Sequence, residues 1–201
     1  MGFYANMNNE RSHEIVEKSL EMLRRLDHRG GIGADGITGD GAGIMTEVPY
    51  QYFSEVTDFD LPTEGDYAVG MLFANVMISD TKHAAVMASI FEGEGLRIIG
   101  DRQVPVDVTC LAPHVAETMP VIQQVFVVNE SAQDFKRALY LARKQIEKYG
   151  ESAQLDLYFT SLSTRTIVYK GWLRSDQIKS LYVDLQQQSY VSKFGSVHSA
   201  L

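Results

Sequence analysis

Residues 28–43 read HRGGIGADGITGDGAG and carry seven of the 16 glycines in this 201-residue chain. We call this stretch the glycine loop. Such a density of glycine is typical of backbone that turns through positive φ, or that another group approaches closely. Apolar residues repeat at helical spacing before the loop, and a short apolar run from Ala42 to Val48 follows it. The sequence therefore predicts a helix, the glycine loop and a strand, in that order.

The helix before the glycine loop is predicted to run from about Ser12 to Leu26. Ser12 is a suitable N-cap, and Glu14 places a negative charge in the first turn, where the helix dipole favours it. Arg24 and Arg25 lie in the last turn, where the dipole favours cations. The inward face of this helix is expected to consist of apolar side chains, namely Ile15, Val16, Leu20, Met22, Leu23 and Leu26.

An α+β architecture is predicted for the chain as a whole. Residues from about 67 to 149 are typical of a middle α/β subdomain, and the patterns near both ends of the chain favour antiparallel strand pairs. Ser131 with Asp134 resembles a capping box that would open the last helix of this subdomain. Ser175 is predicted to cap a further helix near the C-terminal end.

Composition excludes several classes of function. The chain holds 26 acidic against 18 basic residues, so its formal charge of −8 argues against nucleic acid or an anionic membrane as the main partner. One cysteine, Cys110, excludes an internal disulfide framework and a cysteine-rich metal site within these residues. This usage and the lack of a targeting or membrane-spanning pattern lead us to expect a cytoplasmic location.

The histidines give no metal-site pattern. The five of them show no pair at the spacing that a helix or strand uses to hold a metal ion, so no metal is expected. His13 and His83 fall on predicted helices and are expected to be solvated. His28 lies at the junction of helix and glycine loop, where bonding to the last helical carbonyls is the simplest role.

Two possible ligand-binding motifs in the glycine loop, one for a dinucleotide and one for calcium, are rejected because their position or spacing is wrong. Residues 31–36 match G-x-G-x-x-G, but a dinucleotide fingerprint follows a strand and opens a helix, whereas this one follows a helix. Asp35 and Asp40 lack the spacing of a calcium loop. The favoured interpretation is that both carboxylates cap backbone N–H groups in tight turns. The alternative is that one of them orients Arg29 at a site.

Cys110 is the only candidate thiol nucleophile in these residues. It lies in an apolar stretch, and the nearest potential base along the chain is His114. No adjacent basic residue is present to lower the pKa of the thiol. A buried, structural cysteine is therefore the favoured interpretation, and a cysteine enzyme is the weaker one.

Six short motifs occur together in a specific order and spacing. They are SHEIV at 12–16, LDHRGG at 26–31, GAD at 33–35, TGDGAGI at 38–44, PVIQQVFVV at 120–128 and KGWL at 170–173. In order and spacing they resemble the opening of the class II glutamine amidotransferase domain of the glutamate synthase large subunit. The resemblance spans nearly all of residues 1–201, but only about half of that family domain. It implies an N-terminal-nucleophile hydrolase fold, a truncated α/β/β/α sandwich of antiparallel sheets.

The resemblance implies a reaction that amino-acid composition alone does not indicate. In that family an N-terminal cysteine attacks the side-chain amide of glutamine, its own α-amino group acts as base, and a thioester releases ammonia before water releases glutamate. The full-length family enzyme uses the ammonia to convert 2-oxoglutarate to glutamate, with FMN and an iron–sulfur cluster. No cofactor is expected within these 201 residues.

The sequence departs from the family pattern at both ends. The family motif Cys-Gly-x-Gly-Phe matches Met1-Gly2-Phe3 only from its third position, so the nucleophile would lie two residues before Met1. The family continues from His-Ser to an arginine that clamps glutamine, whereas Ser199 is followed by Ala200. The resemblance therefore implies that residues 1–201 alone are inactive.

The residues carried over from the family form a pocket wall rather than the catalytic machinery. By resemblance the substrate-binding candidates are Arg29, Gly30, Gly31, Asp40 and Gly41, and Arg29 is the first choice. No catalytic residue is assigned. Expected partners are glutamine, the remaining domains of the large subunit, its small subunit and, in a homodimer, a second copy of the chain. The alternative function is a non-catalytic ligand- or partner-binding α+β module derived from the amidotransferase fold.

Overall fold

The computed structural model describes residues 1–26, 31, 33, 35–79 and 81–199. They divide into two compact units, of which the first contains residues 1–56, 105–119 and 168–201 and the second contains residues 57–104 and 120–167. The elements are β1 (Gly2–Ala5), α1 (His13–Arg25), β2 (Ala42–Glu47), α2 (Tyr50–Val56), β3 (Tyr67–Ala74), α3 (His83–Gly93), β4 (Leu96–Gln103), α4 (Pro113–Thr118), β5 (Val121–Asn129), α5 (Phe135–Ala153), β6 (Tyr158–Ser163), β7 (Thr166–Gly171), α6 (Gln177–Leu181) and β8 (Phe194–Ser199).

The first unit is built on a four-stranded sheet in the order β1-β8-β2-β7. β8 pairs antiparallel with β1, where Gly2 faces Val197, and with β2, where Gly43 faces His198. The last strand of the chain is therefore an inner strand, held between the first two. One face of this sheet carries buried side chains such as Ile44 and Val197, whereas the other carries half-buried and exposed ones.

Helix α1 covers the buried face of this sheet. Ser12 caps it as predicted, since the Ser12 hydroxyl oxygen accepts a hydrogen bond from the Ile15 amide at 3.3 Å. Its apolar face packs toward β8, and Ser19 lies directly against Gly195. Any side chain on Gly195 would overlap Ser19, so this glycine sets the distance between helix and strand. The buried apolar side chains of α1 are Ile15, Val16, Leu20 and Leu23.

His13 is buried rather than solvated as predicted, and His83 is only partly exposed to solvent. His13 is buried, with Nδ1 2.9 Å from the Tyr190 carbonyl oxygen and Nε2 3.1 Å from a Glu17 carboxylate oxygen. His83 is half-buried and its Nδ1 lies 2.6 Å from the Tyr149 hydroxyl oxygen. Tyr190 and Tyr149 are distant in sequence from the histidines that they contact, so helical periodicity carries no signal of them.

A buried carboxylate joins three parts of the first unit. Asp184 is fully buried in a short 3-10 turn that follows α6. Its two oxygens accept hydrogen bonds from the hydroxyl of Tyr52 on α2, at 2.6 Å, and from the hydroxyl of Tyr169 on β7, at 2.8 Å. A buried charge needs such donors, because it has lost the hydration that it has in water. The Asp184 cluster, which we define as these three residues, therefore anchors β7.

The second unit contains an antiparallel sheet in the order β4-β5-β3-β6. Strand β3 is buried along its whole length, and it pairs with β5 from Tyr67 opposite Val128 to Ala74 opposite Val121. Helices α3 and α5 contribute Met87, Phe91 and Ile146, among others, to the core on one face of this sheet. The helices and the antiparallel sheets of the two units confirm the predicted α+β class. The assignment of about 67–149 as a subdomain stays a prediction.

Two of the predicted helix caps are wrong. α5 is capped by Asp134, whose Oδ1 accepts from the Arg137 amide at 2.8 Å, whereas Ser131 belongs to the preceding turn. Ser175 does not cap α6, because its hydroxyl instead donates to the Ser199 hydroxyl on β8 at 2.8 Å. Ser131 forms a local turn and Ser175 contacts a residue that is distant in sequence, and sequence spacing alone predicts neither. None of the described helices is long and apolar enough to cross a membrane.

The Asp184 cluster gives a stability prediction. Tyr169→Phe removes a tyrosine donor of the buried carboxyl group, so it should lower the free energy of unfolding by about 1–3 kcal/mol. Tyr140→Phe removes a hydroxyl from a tyrosine that is 60% exposed and serves as the matched control, with a change near zero. Urea unfolding of the two variants measures the difference. Equal midpoints for the two variants would contradict a stabilising role for the cluster.

Candidate functional site

Asp35 organises the described part of the glycine loop. Its Oδ1 accepts hydrogen bonds from the amides of Ile37 and Thr38, at 3.0 and 2.9 Å, and from the Thr38 hydroxyl at 2.8 Å. The Gly33 amide then closes the turn on the Thr38 carbonyl at 2.9 Å. Four bonds in so few residues fix a tight turn, as the capping interpretation of Asp35 predicted.

The same bonds set the charge of Asp35. Hydrogen bonds from the Thr38 and Ile37 amides, with that from the Thr38 hydroxyl, lower the pKa of the carboxyl to about 2. Donors aimed at the ionised form favour it over the protonated form. His114 on α4 lies 3.9 Å from the other carboxylate oxygen and acts in the same direction as a smaller effect. Asp35 is therefore an anion throughout the physiological range.

Asp40 closes the other end of the loop. Its Oδ2 accepts a hydrogen bond from the Gly31 amide at 2.7 Å. A Cβ on Gly31 would overlap Asp40 Oδ2, so a larger residue would displace the carboxylate from this position. This confirms the prediction that Asp40, like Asp35, caps a backbone N–H group.

The loop lies on the segment that follows β7. A Cβ on Gly39 would lie 2.6 Å from the Arg174 amide nitrogen and 2.6 Å from the Leu173 carbonyl carbon, so the two backbones are in direct contact. Gly41 has a φ of +127°, a conformation that side chains rarely adopt. Arg174 donates from Nη1 to the Gly36 carbonyl at 3.1 Å. Two glycines and one arginine thus hold the loop on the end of the sheet.

The structure brings together three of the five predicted site residues. Gly31 and Asp40 are hydrogen-bonded to each other, and Gly41 follows directly and leads into β2. Arg29 and Gly30 lie outside the described residues, and so does His28. The assignment of all five to a glutamine pocket wall stays a prediction.

Sequence reasoning missed the support of the loop by residues 172–174. Leu173 and Arg174 contact Gly36 and Gly39 across more than 130 positions of sequence, and single-sequence patterns carry no signal of such contacts. Trp172, beside them, is 80% exposed. The KGWL motif marks this segment as distinctive without indicating what it touches.

Cys110 has the features of an unreactive thiol. It lies in a 3-10 turn and is half-buried, rather than buried as predicted. Its Sγ donates to the Asp107 carbonyl at 3.2 Å. Burial, followed by the negative charge of Asp107, raises the pKa of the thiol. Both effects disfavour the thiolate, which is the nucleophilic form.

Comparisons with known proteins agree on one family. The family model described as "Glutamine amidotransferases class-II" matches residues 1–201. The chain is 40% identical over 205 residues to the glutamate synthase [NADPH] large chain of Bacillus subtilis, covering 99% of the chain and 14% of that relative. It is 42% identical over 212 residues to ferredoxin-dependent glutamate synthase 1 of Arabidopsis thaliana, covering 98% of the chain and 13% of the relative. The chain thus spans only about a seventh of the length of these curated relatives.

Asp35 provides a prediction about the loop. Because folding lowers its pKa, the charged carboxylate favours the folded turn above the ordinary value of about 3.9. That contribution disappears as the pH falls through about 2. Asp35→Ala should speed hydrogen exchange of the Ile37 and Thr38 amides by about tenfold or more. Asp58→Ala, at an exposed carboxylate, is the control and should leave them unchanged. Equal exchange rates in both variants would show that Asp35 does not hold the turn.

Proposed function

Because the chain belongs to the class II glutamine amidotransferases, we propose that it forms part of the glutaminase domain of a glutamate synthase. Such a domain hydrolyses glutamine to glutamate and ammonia, and the ammonia serves the reductive conversion of 2-oxoglutarate. The observation that carries the proposal is similarity along 98–99% of the chain to relatives that are named glutamate synthase, both NADPH and ferredoxin-dependent.

The geometry of the glycine loop supports a role as pocket wall. The Gly31 amide is already bonded to Asp40, so these two described positions are held together before any ligand binds. A site that is rigid before binding loses less conformational entropy when substrate arrives. We propose that Gly31, Asp40 and Gly41 present backbone to glutamine, and that Arg29 adds a charged contact.

The remaining parts of the reaction belong to the larger protein. We propose that FMN, an iron–sulfur cluster and the reductive site lie in domains outside these 201 residues, together with contacts to a small subunit. The curated relatives are about seven times longer than the chain, which leaves ample length for such domains. A homodimer and a cytoplasmic location stay predictions.

Residues 1–201 alone are proposed to be catalytically inactive. The hydrolysis needs a thiol that forms a thiolate near neutral pH, and the one thiol in this sequence, Cys110, has a raised pKa. This observation also favours the alternative function for the isolated chain, namely a non-catalytic module that binds a ligand or partner through the glycine loop.

The first test measures the isolated chain. Purified residues 1–201 should release no ammonia from glutamine above a heat-treated control, and Cys110→Ser should change nothing. Iodoacetamide should modify Cys110 more slowly than free cysteine at pH 7, because the thiolate fraction is smaller. Steady ammonia release that is lost in Cys110→Ser would contradict the proposal and establish a cysteine enzyme.

The second test places the chain in a complete enzyme. The 205 matching residues of the Bacillus subtilis large chain are replaced by residues 1–201, with the flanking segments kept. The chimera should form glutamate from 2-oxoglutarate with either glutamine or ammonia as nitrogen donor. Retained ammonia-dependent synthesis shows that the rest of the enzyme is folded. Its retention without any glutamine-dependent synthesis would contradict the glutaminase function.

A further inference from the structure

Helix α3 lies at the surface of the second unit without a charged face. Its sequence, HAAVMASIFEG, contains one carboxylate and neither lysine nor arginine. Met87 and Phe91 are buried, whereas Val86 is exposed and Ile90 is half-buried. A surface helix ordinarily turns charged or polar side chains toward water, and a helix that is apolar on all sides is ordinarily covered. The outer face of α3 is therefore typical of a helix that packs against a further partner.

An apolar groove lies beside this face, between α3 and α5. Its volume is about 630 Å³. Ile90, one turn after Val86, lines the groove from α3, and Tyr149 lines it from α5. The Tyr149 ring is held in place, because its hydroxyl oxygen lies 2.6 Å from His83 Nδ1 and the two ring centroids are 5.9 Å apart. A rigid aromatic side chain at a surface suits protein binding, since little conformational entropy is lost when a partner packs on it.

Two opposite charges border the groove. Lys148 and Glu151 lie one turn apart on α5, and both line the groove. The nearby Glu147 pairs instead with Arg143 and Lys144, at 2.8 and 3.0 Å. Neither Lys148 nor Glu151 forms an ion pair with another residue in the described part of the chain. Such a surface is complementary to one that presents the same two charges in reverse order.

We propose that a second copy of this chain packs on the face formed by α3, the groove and α5, and that a two-fold axis relates the two copies. In such a pair residue i of one copy faces residue j of the other, and j faces i. An axis that crosses α5 between positions 148 and 151 sets Lys148 of each copy opposite Glu151 of the other. The surface is thus complementary to itself in charge, and the exposed Val86 is removed from water.

The form of the groove favours a protein partner over a small molecule. A small-molecule site is concave and buries most of its ligand, whereas Gln145, Lys148 and Glu151 are exposed in this groove. Two helices from each copy form a small interface compared with the roughly 800 Å² per partner that is standard. The formal charge of −8 on each copy also opposes association. We therefore expect a weak dimer, with a Kd on the order of 100 µM.

Sedimentation velocity of residues 1–201 provides the first test. Between about 5 µM and about 1 mM the average mass should rise from that of a monomer toward that of a dimer. Val86→Glu should raise Kd at least about tenfold, because it buries an unpaired carboxylate in the interface. Met7→Glu, at a 95% exposed residue of the first unit, is the matched control and should leave Kd unchanged. A monomer at every concentration, or equal effects of the two variants, would overturn the proposal.

Charge reversal tests the two-fold arrangement with substitutions at exposed positions of α5. Lys148→Glu and Glu151→Lys should each raise Kd about tenfold, since each sets like charges opposite one another. A mixture of the two variants should associate as tightly as the original chain, because every charge then meets its opposite.

Two outcomes of charge reversal would overturn the proposal. Glu151→Lys reduces the net negative charge of the chain, so tighter self-association of this variant would show that net charge governs association rather than the proposed pairing. A mixture that associates no better than either variant alone would exclude the two-fold pairing of Lys148 with Glu151. None of these measurements uses glutamine, so their result is independent of the proposed glutaminase function.

Discussion

The pairing of β8 between β1 and β2 is the constraint on which the first unit depends. β8 ends at Ser199, yet it supplies the inner strand that joins the two earliest strands of the chain. Gly195 on this strand sets the distance to helix α1, because Ser19 lies where a side chain would be. His198 on the same strand reaches Gly43 from the side opposite Lys170. Loss of β8 would leave β1 without its partner strand in this sheet and would expose the apolar face of α1.

A second set of contacts connects this sheet to the glycine loop. The Asp184 cluster holds β7 through Tyr169, the end of β7 lies against Gly41, and the backbone that follows β7 lies against Gly39. Ser175 then ties that segment back to β8 through Ser199. The segment that supports the described part of the loop is thus held by buried polar bonds as well as by apolar packing. Such bonds are costly to break, which suits a wall that must keep its shape when substrate binds.

Local chemistry in the sequence predicted the local structure well. The Ser12 cap, helix α1 and the capping roles of Asp35 and Asp40 follow from short-range rules, and the structure agrees with them. Several errors share one cause, which is contact between residues far apart in sequence. His13 is buried against the Tyr190 carbonyl, and the Ser175 hydroxyl donates its hydrogen bond to Ser199 instead of capping α6. Periodicity and cap preference give no information about such partners.

The candidate site was predicted from sequence motifs, because the chemistry of the individual residues alone does not identify it. The composition of the glycine loop identified it as a candidate site. Its contacts with Leu173 and Arg174 depend on the order of the strands in the sheet, and so does the approach of His198 to Lys170. The order of the eight strands in the described residues cannot be read from alternation patterns, since several arrangements bury the same apolar residues. The reaction is implied by the family resemblance, and the sheet order determines which side chains lie beside the glycine loop.

The most direct test of the central claim is a crystal structure of the complete polypeptide that contains these residues, after reaction with a diazoketone analogue of glutamine. The expected result is a covalent adduct on the first cysteine, with its amino-acid portion against the backbone of Gly31 and Gly41. An adduct on Cys110, or one bound away from the glycine loop, would contradict the claim that these residues form the glutamine pocket.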